Sequence, residues 1–221
     1  MIRTVIFDMD GVLVDTEPLH HDAFFRHFAE LGLRISDTEY ATFLGSSTSN
    51  MYQRIKQEYG LREEVPALVQ RKRELFGVAF EANTTLELLP GARELVLDLY
   101  QAGVPLQLAS SASHETIDRV FTRFQLYPYF QNRVSGEEFP QSKPNPAIFL
   151  RAAELAGMPP QACLVIEDSA NGVTAAKAAG MYCVGYRSAH SGGQDLHFAD
   201  HIVADLRELS AASILALPVG S

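Results

Sequence analysis

The sequence predicts an α/β protein, in which a doubly wound (Rossmann-like) parallel sheet core carries a small all-helical cap domain. Two observations lead to this fold class. Short apolar runs alternate with helical patterns from about residue 90 onward, as in parallel sheets covered by helices. A long helix-patterned block interrupts the alternation directly after the first apolar run, which indicates an inserted helical domain.

The predicted strands are apolar at nearly every position, as strands buried on both faces of a sheet are. They cover residues 4–7, 106–109, 133–135, 163–166, 182–185 and 201–203. Capping residues and terminal glycines predict the helices between them over residues 91–102, 114–124, 146–156 and 171–179, with a last helix from Leu206.

The inserted block has a helical pattern almost throughout and no convincing strand. Its predicted helices cover residues 19–31, 37–43, 50–59 and 65–82. Pro18, Pro90 and Gly91 suit the two chain crossings at its ends. We therefore expect a core domain of residues 1–16 and 88–221 and a cap domain of residues 17–87.

The composition is that of a globular domain with an acidic balance. The chain has 221 residues, of which 47% are hydrophobic and 20% charged, and its formal net charge is -9. This charge and the lack of a Lys/Arg cluster argue against nucleic acid as a partner. They leave room for an anionic substrate, because a few local cations or a metal can reverse the field inside a cleft.

Membrane and secretion signals are absent from the sequence. No segment approaches the roughly 18 apolar residues that a membrane span needs, and the charges by position 8 do not fit a signal peptide. Cys163 and Cys183 lie in apolar runs outside any CxxC motif, which favours reduced, buried thiols. We expect a cytoplasmic protein, a monomer or a weak dimer, with no membrane partner.

Two aspartates follow the first apolar run, in the stretch V-I-F-D-M-D-G. Asp8 and Asp10 are two residues apart, so in a strand their side chains point to the same side. Two such carboxylates repel each other, and their burial is costly unless something compensates it. The pair is either a solvated turn at a strand end, or a cation site, or a nucleophile paired with an acid.

Polar groups follow other predicted strands in the same way. Ser110 and Ser111 come after the second strand, Lys143 lies in S-K-P-N-P before a helix, and Glu167 and Asp168 follow a buried strand. Each has an ordinary explanation as a turn, a solvated loop or a helix cap. Ligands of doubly wound sheets bind beyond the carboxyl ends of the strands, and the ordered set together favours a shared site.

This ordered set resembles the haloacid dehalogenase superfamily, in its phosphatase and β-phosphoglucomutase-like subgroup with a helical cap after the first strand. The matching motifs are D-M-D-G, Ser110, Lys143 in K-P-N-P, and the acids of I-E-D-S-A-N-G. The continuations D-G-V-L-V-D-T-E-P and L-P-G-A-R-E-L match as well, so the resemblance covers essentially the whole chain. DxDG with matched downstream motifs is a specific signal.

The resemblance implies a phosphoryl transfer with a covalent intermediate on the protein. Asp8 would attack phosphorus and form an aspartyl-phosphate. Asp10 would protonate the leaving alkoxide and then deprotonate the attacking water. Ser110 and Lys143 would hold the phosphoryl oxygens, and Lys143 would also offset carboxylate repulsion. Gly11 would allow a sharp turn beside the phosphate, where a Cβ would crowd it, and Ser111 would add to anion binding.

The resemblance also implies Mg²⁺ as the cofactor. The ion would bridge Asp8 and the substrate phosphate, with the Asp10 carbonyl and Asp168 completing the protein ligands. Glu167 would contact the ligands of the metal or bind the metal through a water molecule, with direct ligation as the alternative. The second aspartate places the chain with phosphatases and mutases, since dehalogenases proper attack carbon with a single aspartate.

Substrate choice is expected on the cap, where His20, His21 and residues 44–49, including Gly45 and Ser46, are candidates. A β-phosphoglucomutase would need basic cap residues for a second phosphate, and this loop has no Lys or Arg before Arg54. The expected function is hydrolysis of a small phosphorylated metabolite, a sugar or polyol phosphate. The alternatives are a mutase and a non-catalytic phosphate-binding module, which would need none of the acid chemistry.

Overall fold

The structure is a computed structural model that describes residues 1–43, 47–188 and 193–217. The chain divides into two compact units. We call Met1–Asp15 with Glu87–Ser221 the core unit, and Thr16–Leu86 the cap unit.

The core unit is built on a parallel six-stranded sheet with strand order β3-β2-β1-β4-β5-β6. The strands are β1 (Thr4–Phe7), β2 (Leu106–Ser110), β3 (Phe130–Ser135), β4 (Cys163–Glu167), β5 (Tyr182–Tyr186) and β6 (His201–Val203). All adjacent strands run parallel. The doubly wound parallel sheet predicted from the sequence is confirmed.

Strand position in the sheet explains where the sequence prediction was incomplete. Every residue of β1, β2 and β4 is buried, as expected for inner strands. Strand β3 lies at an edge and begins at Phe130, earlier than predicted. Its first half contains the exposed Gln131 and the half-buried Asn132, so it lacks the apolar run by which the other strands were recognised.

The cap unit is helical over its described residues, with no strand among them. Its helices are α1 (Glu17–Glu30), α2 (Asp37–Ala41), α3 (Thr48–Tyr59) and α4 (Val65–Ala82). Phe24 and Phe28 of α1 pack in one apolar cluster with Tyr52 and Ile55 of α3 and Leu68 of α4. This cluster is a hydrophobic core of the cap unit's own.

The helices of the core unit are α5 (Ala92–Gln101), α6 (His114–Arg123), α7 (Ala147–Leu155), α8 (Ala170–Ala178) and α9 (Ala211–Leu215). The N-cap of α6 is Ser113, as predicted, and its side chain accepts from the Thr116 N–H. The prediction of one helix from Leu206 was wrong. A 3₁₀ turn, Leu206–Glu208, precedes α9, and Ser210 caps α9 separately.

Both cysteines are buried and free, as predicted. Within the described ranges, the helices all fall short of the length and apolarity that a membrane crossing requires.

Candidate active site

The register of the central strands brings three chain positions to one edge of the sheet. Strand β1 is in register with β2 and β4 at Phe7, Leu108 and Ile166. The next residues, Asp8, Ala109 and Glu167, therefore lie side by side at the carboxyl ends of the strands. The Asp8 N–H donates to the Ile166 carbonyl at 3.0 Å, which holds the backbone of Asp8 against β4.

Lys143 joins these three positions. Its Nζ donates to Asp8 Oδ1 at 2.5 Å, to Glu167 Oε1 at 2.8 Å and to the Ala109 carbonyl at 3.1 Å. An ammonium group has three donors, so all of them are used. Asp8 and Lys143 are only 6% and 7% exposed, which makes this a buried ionic cluster.

The cluster contains more carboxylates than its one lysine can offset. Burial raises the pKa of Asp8, against the effect of Lys143, and Glu167 and Asp10 raise it further. Burial and then the charges of Glu167 and Asp8 raise the pKa of Asp168 well above its usual range. Burial lowers the pKa of Lys143, but Asp8 and Glu167 raise it by more. The site therefore favours a further positive charge.

Gly11 makes room for Asp168. Its φ is +81°, a left-handed conformation that glycine adopts at little cost. A Cβ at this position would lie closer than 3.0 Å to all three carboxyl atoms of Asp168. The positive φ fits the sharp turn that we predicted at Gly11, and the space beside Gly11 holds the Asp168 carboxylate. That a Cβ would also crowd a bound phosphate stays a prediction.

Both oxygens of Glu167 are engaged within the protein. Oε1 accepts from Lys143, and Oε2 accepts from the N–H and the hydroxyl of Ser169 at 2.8 and 2.9 Å. The residue is 1% exposed. Both oxygens therefore already accept hydrogen bonds, and the role of Glu167 at the metal, indirect or by direct ligation, stays a prediction.

Ser110 ends β2 as a buried hydroxyl. Its Oγ accepts from the Ala112 N–H at 3.1 Å, so its own proton remains available for a ligand oxygen. Ser111 is exposed, and its backbone packs against Gly136, where a Cβ would come within about 3 Å. Ser110 is thus the last residue of β2, and Ser111 begins the loop that follows it.

In the cap unit, His20 has a partner that the sequence did not reveal. Lys72 of α4 donates to His20 Nδ1 at 2.5 Å, and the imidazole stacks on Phe76. Burial and then the charge of Lys72 lower the pKa of His20, so the imidazole is neutral. Lys72 is 3% exposed, and the sequence signal for it is a lysine on the apolar face of α4.

The other residues predicted for substrate choice in the cap are His21, Gly45 and Ser46. The His21 ring contacts Asp37 at 2.8 Å on the surface of the cap unit. Gly45 and Ser46 lie outside the residues that the structure describes.

A comparison with protein families identifies the chain. The model for haloacid dehalogenase-like hydrolases matches residues 2–180. The chain belongs to this family. It is an enzyme of the family's phosphatase subgroup, as the resemblance predicted.

The names of several similar proteins and solved structures refer to phosphorylated sugars or polyols. Hexitol phosphatase B of Escherichia coli K12 is 34% identical, over 97% of both chains. The structure of CbbY from Rhodobacter sphaeroides in complex with xylulose-(1,5)bisphosphate has a TM-score of 0.84 at 27% identity, over 95% of this chain and 96% of that one. The structure of β-phosphoglucomutase from Clostridium difficile has a TM-score of 0.84 at 25% identity, and the match covers 97% of this chain and 96% of that one.

The donor atoms of this haloacid dehalogenase-like site fit a hard divalent cation. Among the residues described, His, Cys, Asp and Glu side chains nowhere form a group of three that could hold a metal. The predicted ligands need only two carboxylates, Asp8 and Asp168, with the backbone carbonyl of Asp10. Mg²⁺ usually takes one or two carboxylates and completes its shell with water and substrate phosphate. The excess of carboxylates around Lys143 favours the same cation.

Sequence reasoning did not single out Ser135, which lies beside the candidate site residue Ser110. Its Oγ donates to the Ala112 carbonyl at 2.7 Å, and Ala112 is the residue whose N–H donates to Ser110. Ser135 pairs with Ser110 in the β2–β3 register. The sequence signal for Ser135 was a serine at the end of β3, in the same position as Ser110 at the end of β2.

The core unit also has a surface cavity of about 320 Å³ at the start of α5. Its lining residues are Glu87, Leu88, Leu89, Pro90, Gly91, Arg93, Glu94 and Phe124. None of the predicted site residues lines it, so we do not identify it with the active site.

Proposed function

We propose that this protein hydrolyses a small phosphomonoester, a sugar or polyol phosphate, through an aspartyl-phosphate on Asp8 and with Mg²⁺ as cofactor. The supporting observation is the buried cluster in which Lys143 holds Asp8 and Glu167 at the carboxyl ends of the central strands. A nucleophile needs a fixed orientation and a stabilised charge, and Lys143 supplies both.

The first half-reaction transfers the phosphoryl group to Asp8. Lys143 holds Oδ1, so Oδ2 is the oxygen that attacks phosphorus. A bond forms between Oδ2 and phosphorus, and the ester bond between phosphorus and the alcohol oxygen breaks. Asp10 gives its proton to the departing alkoxide and becomes a carboxylate. Ser110 donates its hydroxyl proton to a phosphoryl oxygen.

The second half-reaction releases phosphate. The Asp10 carboxylate removes a proton from water, and the water oxygen attacks phosphorus. The bond between phosphorus and Asp8 breaks, which restores the Asp8 carboxylate and the protonated Asp10. Asp8, Asp168 and the Asp10 carbonyl would hold Mg²⁺, which would supply positive charge at the phosphoryl oxygens.

The substrate class rests on the names of similar proteins and on the cap. One relative is a hexitol phosphatase, and one neighbouring structure contains xylulose bisphosphate. The first basic residue after the cap loop, Arg54, donates to Glu58 at 2.6 Å and lies over the Phe43 ring. These contacts hold Arg54 within the cap unit and give no support for binding a second phosphate. The part of His20 in substrate recognition stays a prediction.

A phosphosugar mutase is the second candidate. The likeness to β-phosphoglucomutase at a TM-score of 0.84 favours it, and so does the histidine at position 20. A mutase returns the phosphoryl group to its substrate, whereas a phosphatase passes it to water. Phosphate release and isomerisation of β-glucose 1-phosphate therefore separate the two functions.

The test is phosphate release from a panel of phosphorylated sugars, polyols, nucleotides and small acids, with Mg²⁺ and with EDTA. Isomerisation of β-glucose 1-phosphate, primed with glucose 1,6-bisphosphate, is followed in parallel. Asp10→Asn tests the acid–base role. Asp118→Asn is the matched control, because Asp118 is exposed on α6.

We expect Mg²⁺-dependent release from one or two sugar or polyol phosphates, loss of turnover in Asp10→Asn, and unchanged turnover in Asp118→Asn. Isomerisation with little release would establish the mutase instead. Binding of phosphate by folded protein without any turnover would indicate a non-catalytic module. Full activity of Asp10→Asn would refute the acid–base assignment.

A further inference from the structure

The Glu167 carboxylate is held in one orientation from two sides. Lys143 lies on its Oε1 side and the first turn of α8 on its Oε2 side. Because the residue is 1% exposed, solvent does not replace either partner. A change on the α8 side must therefore be transmitted to Lys143.

Ser169 supplies two of the contacts on the helix side. As N-cap of α8, its Oγ accepts from the Gly172 N–H at 3.0 Å. The same hydroxyl donates to Glu167 Oε2 at 2.9 Å. Since Oγ accepts from an N–H on one side, its proton points to the carboxylate on the other. Ser169 thus ties the position of Glu167 to the start of α8.

Gly172 supplies the space for this carboxylate. A Cβ at position 172 would lie closer than 3.0 Å to both oxygens of Glu167. Glycine is unfavourable inside a helix compared with alanine, and the φ of Gly172 is not among the positive ones. The reason for glycine in this turn is therefore steric and comes from Glu167.

We propose that Ser169 and Gly172 are positioning residues for the reaction, acting through Glu167 on Lys143. The proposal rests on the proposed function, in which Lys143 orients Asp8. Displacing Glu167 removes one of the three acceptors of Lys143. The ammonium group then moves away from Asp8 Oδ1, and the nucleophile loses its orientation.

Gly172→Ala tests the steric part, alone and combined with Glu167→Asp. The added methyl group displaces the glutamate, and we expect kcat to fall about tenfold, as for other residues that support a ligand or nucleophile from behind. Aspartate is shorter by one methylene group, so Glu167→Asp alone withdraws the carboxylate from Lys143 and lowers kcat, but it leaves room for that methyl group. The double variant should therefore turn over no more slowly than Glu167→Asp alone. Thr174→Ala, on the exposed side of the same helix, should match the wild type.

Ser169→Ala tests the hydroxyl without adding bulk, and it keeps the test valid if Gly172→Ala does not fold. We expect kcat to fall about tenfold, and Ser169→Thr, which keeps a hydroxyl, to restore it. KM should change little, because these residues do not touch the substrate. Thermal melting of each variant checks that the protein is folded.

Two results would overturn the proposal. One is a double variant whose loss of kcat is the product of the two single losses, since Gly172→Ala would then act through helix packing and not through Glu167. The other is wild-type kcat in Ser169→Ala. Failure of the proposed function is distinguishable from both, because the wild type itself would then release no phosphate.

Discussion

Lys143 determines how the candidate active site is organised at the scale of single residues. Its three donors are all used by Asp8, Glu167 and the Ala109 carbonyl. A contact with a phosphoryl oxygen, as predicted from the sequence, requires one of these acceptors to be exchanged. In the structure, Lys143 offsets the repulsion between Asp8 and Glu167 and holds Asp8, the proposed nucleophile, and phosphate binding would be an additional role.

Replacing Lys143 should be costly for stability. Lys143→Met leaves Asp8 and Glu167 buried without their cation, and losing one partner of a buried ion pair costs about 3 kcal/mol or more. The control is Lys177→Met, which breaks the partly exposed pair with Asp200 and should cost about 1 kcal/mol or less. Urea unfolding at pH 7 in EDTA measures both. Equal losses would contradict the buried-cluster interpretation.

Gly11 and Gly157 form a matched pair for testing the contact with Asp168. Both have positive φ, but a Cβ would meet Asp168 at Gly11 and nothing within 4 Å at Gly157. Each alanine variant should lose about 1 kcal/mol or slightly more from backbone strain. Only Gly11→Ala should lose Mg²⁺-dependent turnover, by about tenfold or more. Activity assays and urea unfolding decide this, and equal activities of the two variants would count against the assigned role of Gly11.

At the scale of secondary-structure elements, the strand ends carry the chemistry and the helices hold it in place. Strands β1, β2 and β4 contribute Asp8, Ala109 and Glu167 at one edge of the sheet. Helix α8 begins directly behind Glu167, through Ser169. In the cap unit, α1 and α3 are joined by a buried hydrogen bond of 2.6 Å between His27 and Tyr52.

The His27 contact predicts a pH dependence of stability. Burial lowers the pKa of His27 below 6.5, with Glu30 and Glu63 opposing and Arg71 adding to the effect. The unfolded chain therefore takes up a proton near pH 6.5 that the folded protein does not. The contribution of His27 to stability is fully present above pH 6.5 and is lost as the pH decreases below it, by at most about 1.4 kcal/mol per pH unit.

Urea unfolding of the wild type and of His27→Asn between pH 7.5 and 5 measures this dependence. Relative to the wild type, the variant should lose less stability toward low pH. Both curves also contain His20, whose pKa burial lowers, and the opposite contributions of Asp8 and Asp168, whose raised pKa values add stability as the pH falls. An unchanged slope in the variant would show that His27 is not the titrating group.

At the scale of the whole molecule, the chain joins a sheet unit that carries the reactive groups to a helical unit with its own core. The family match over residues 2–180 includes the whole cap unit and most of the core unit. The carboxylates, the serine and the lysine to which we assign the chemistry all lie in the core unit. Chemistry is therefore expected to depend on the core unit, and differences in substrate choice on the cap unit.

Metal binding should be measurable as stability of the whole molecule. The proposed Mg²⁺ would bind the folded site and not the unfolded chain, so it should raise the free energy of unfolding, by about 2.7 kcal/mol at 100 times its Kd. Thermal melting in Mg²⁺ and in EDTA measures the shift. Asp168→Asn should remove the shift, and Asp118→Asn should keep it. A shift retained in Asp168→Asn would argue for a different metal site.

Much of the fold and of the candidate site follows from local sequence patterns. The apolar runs predicted the inner strands, and the polar residues that follow them predicted Asp8, Ser110 and Glu167 at the strand ends. The start of β3 was missed because an edge strand needs no apolar run. Lys72 was missed because its burial depends on packing between α1 and α4.

The sequence by itself determined the fold class, the family and the set of reactive groups, because residue type and periodicity are local properties of the chain. Only the tertiary structure decided that Lys143 binds Asp8 and Glu167 together, that Gly11 adjoins Asp168, and that Gly172 leaves room for Glu167. These contacts depend on strand register and on the volume left between elements, which join residues far apart in the chain.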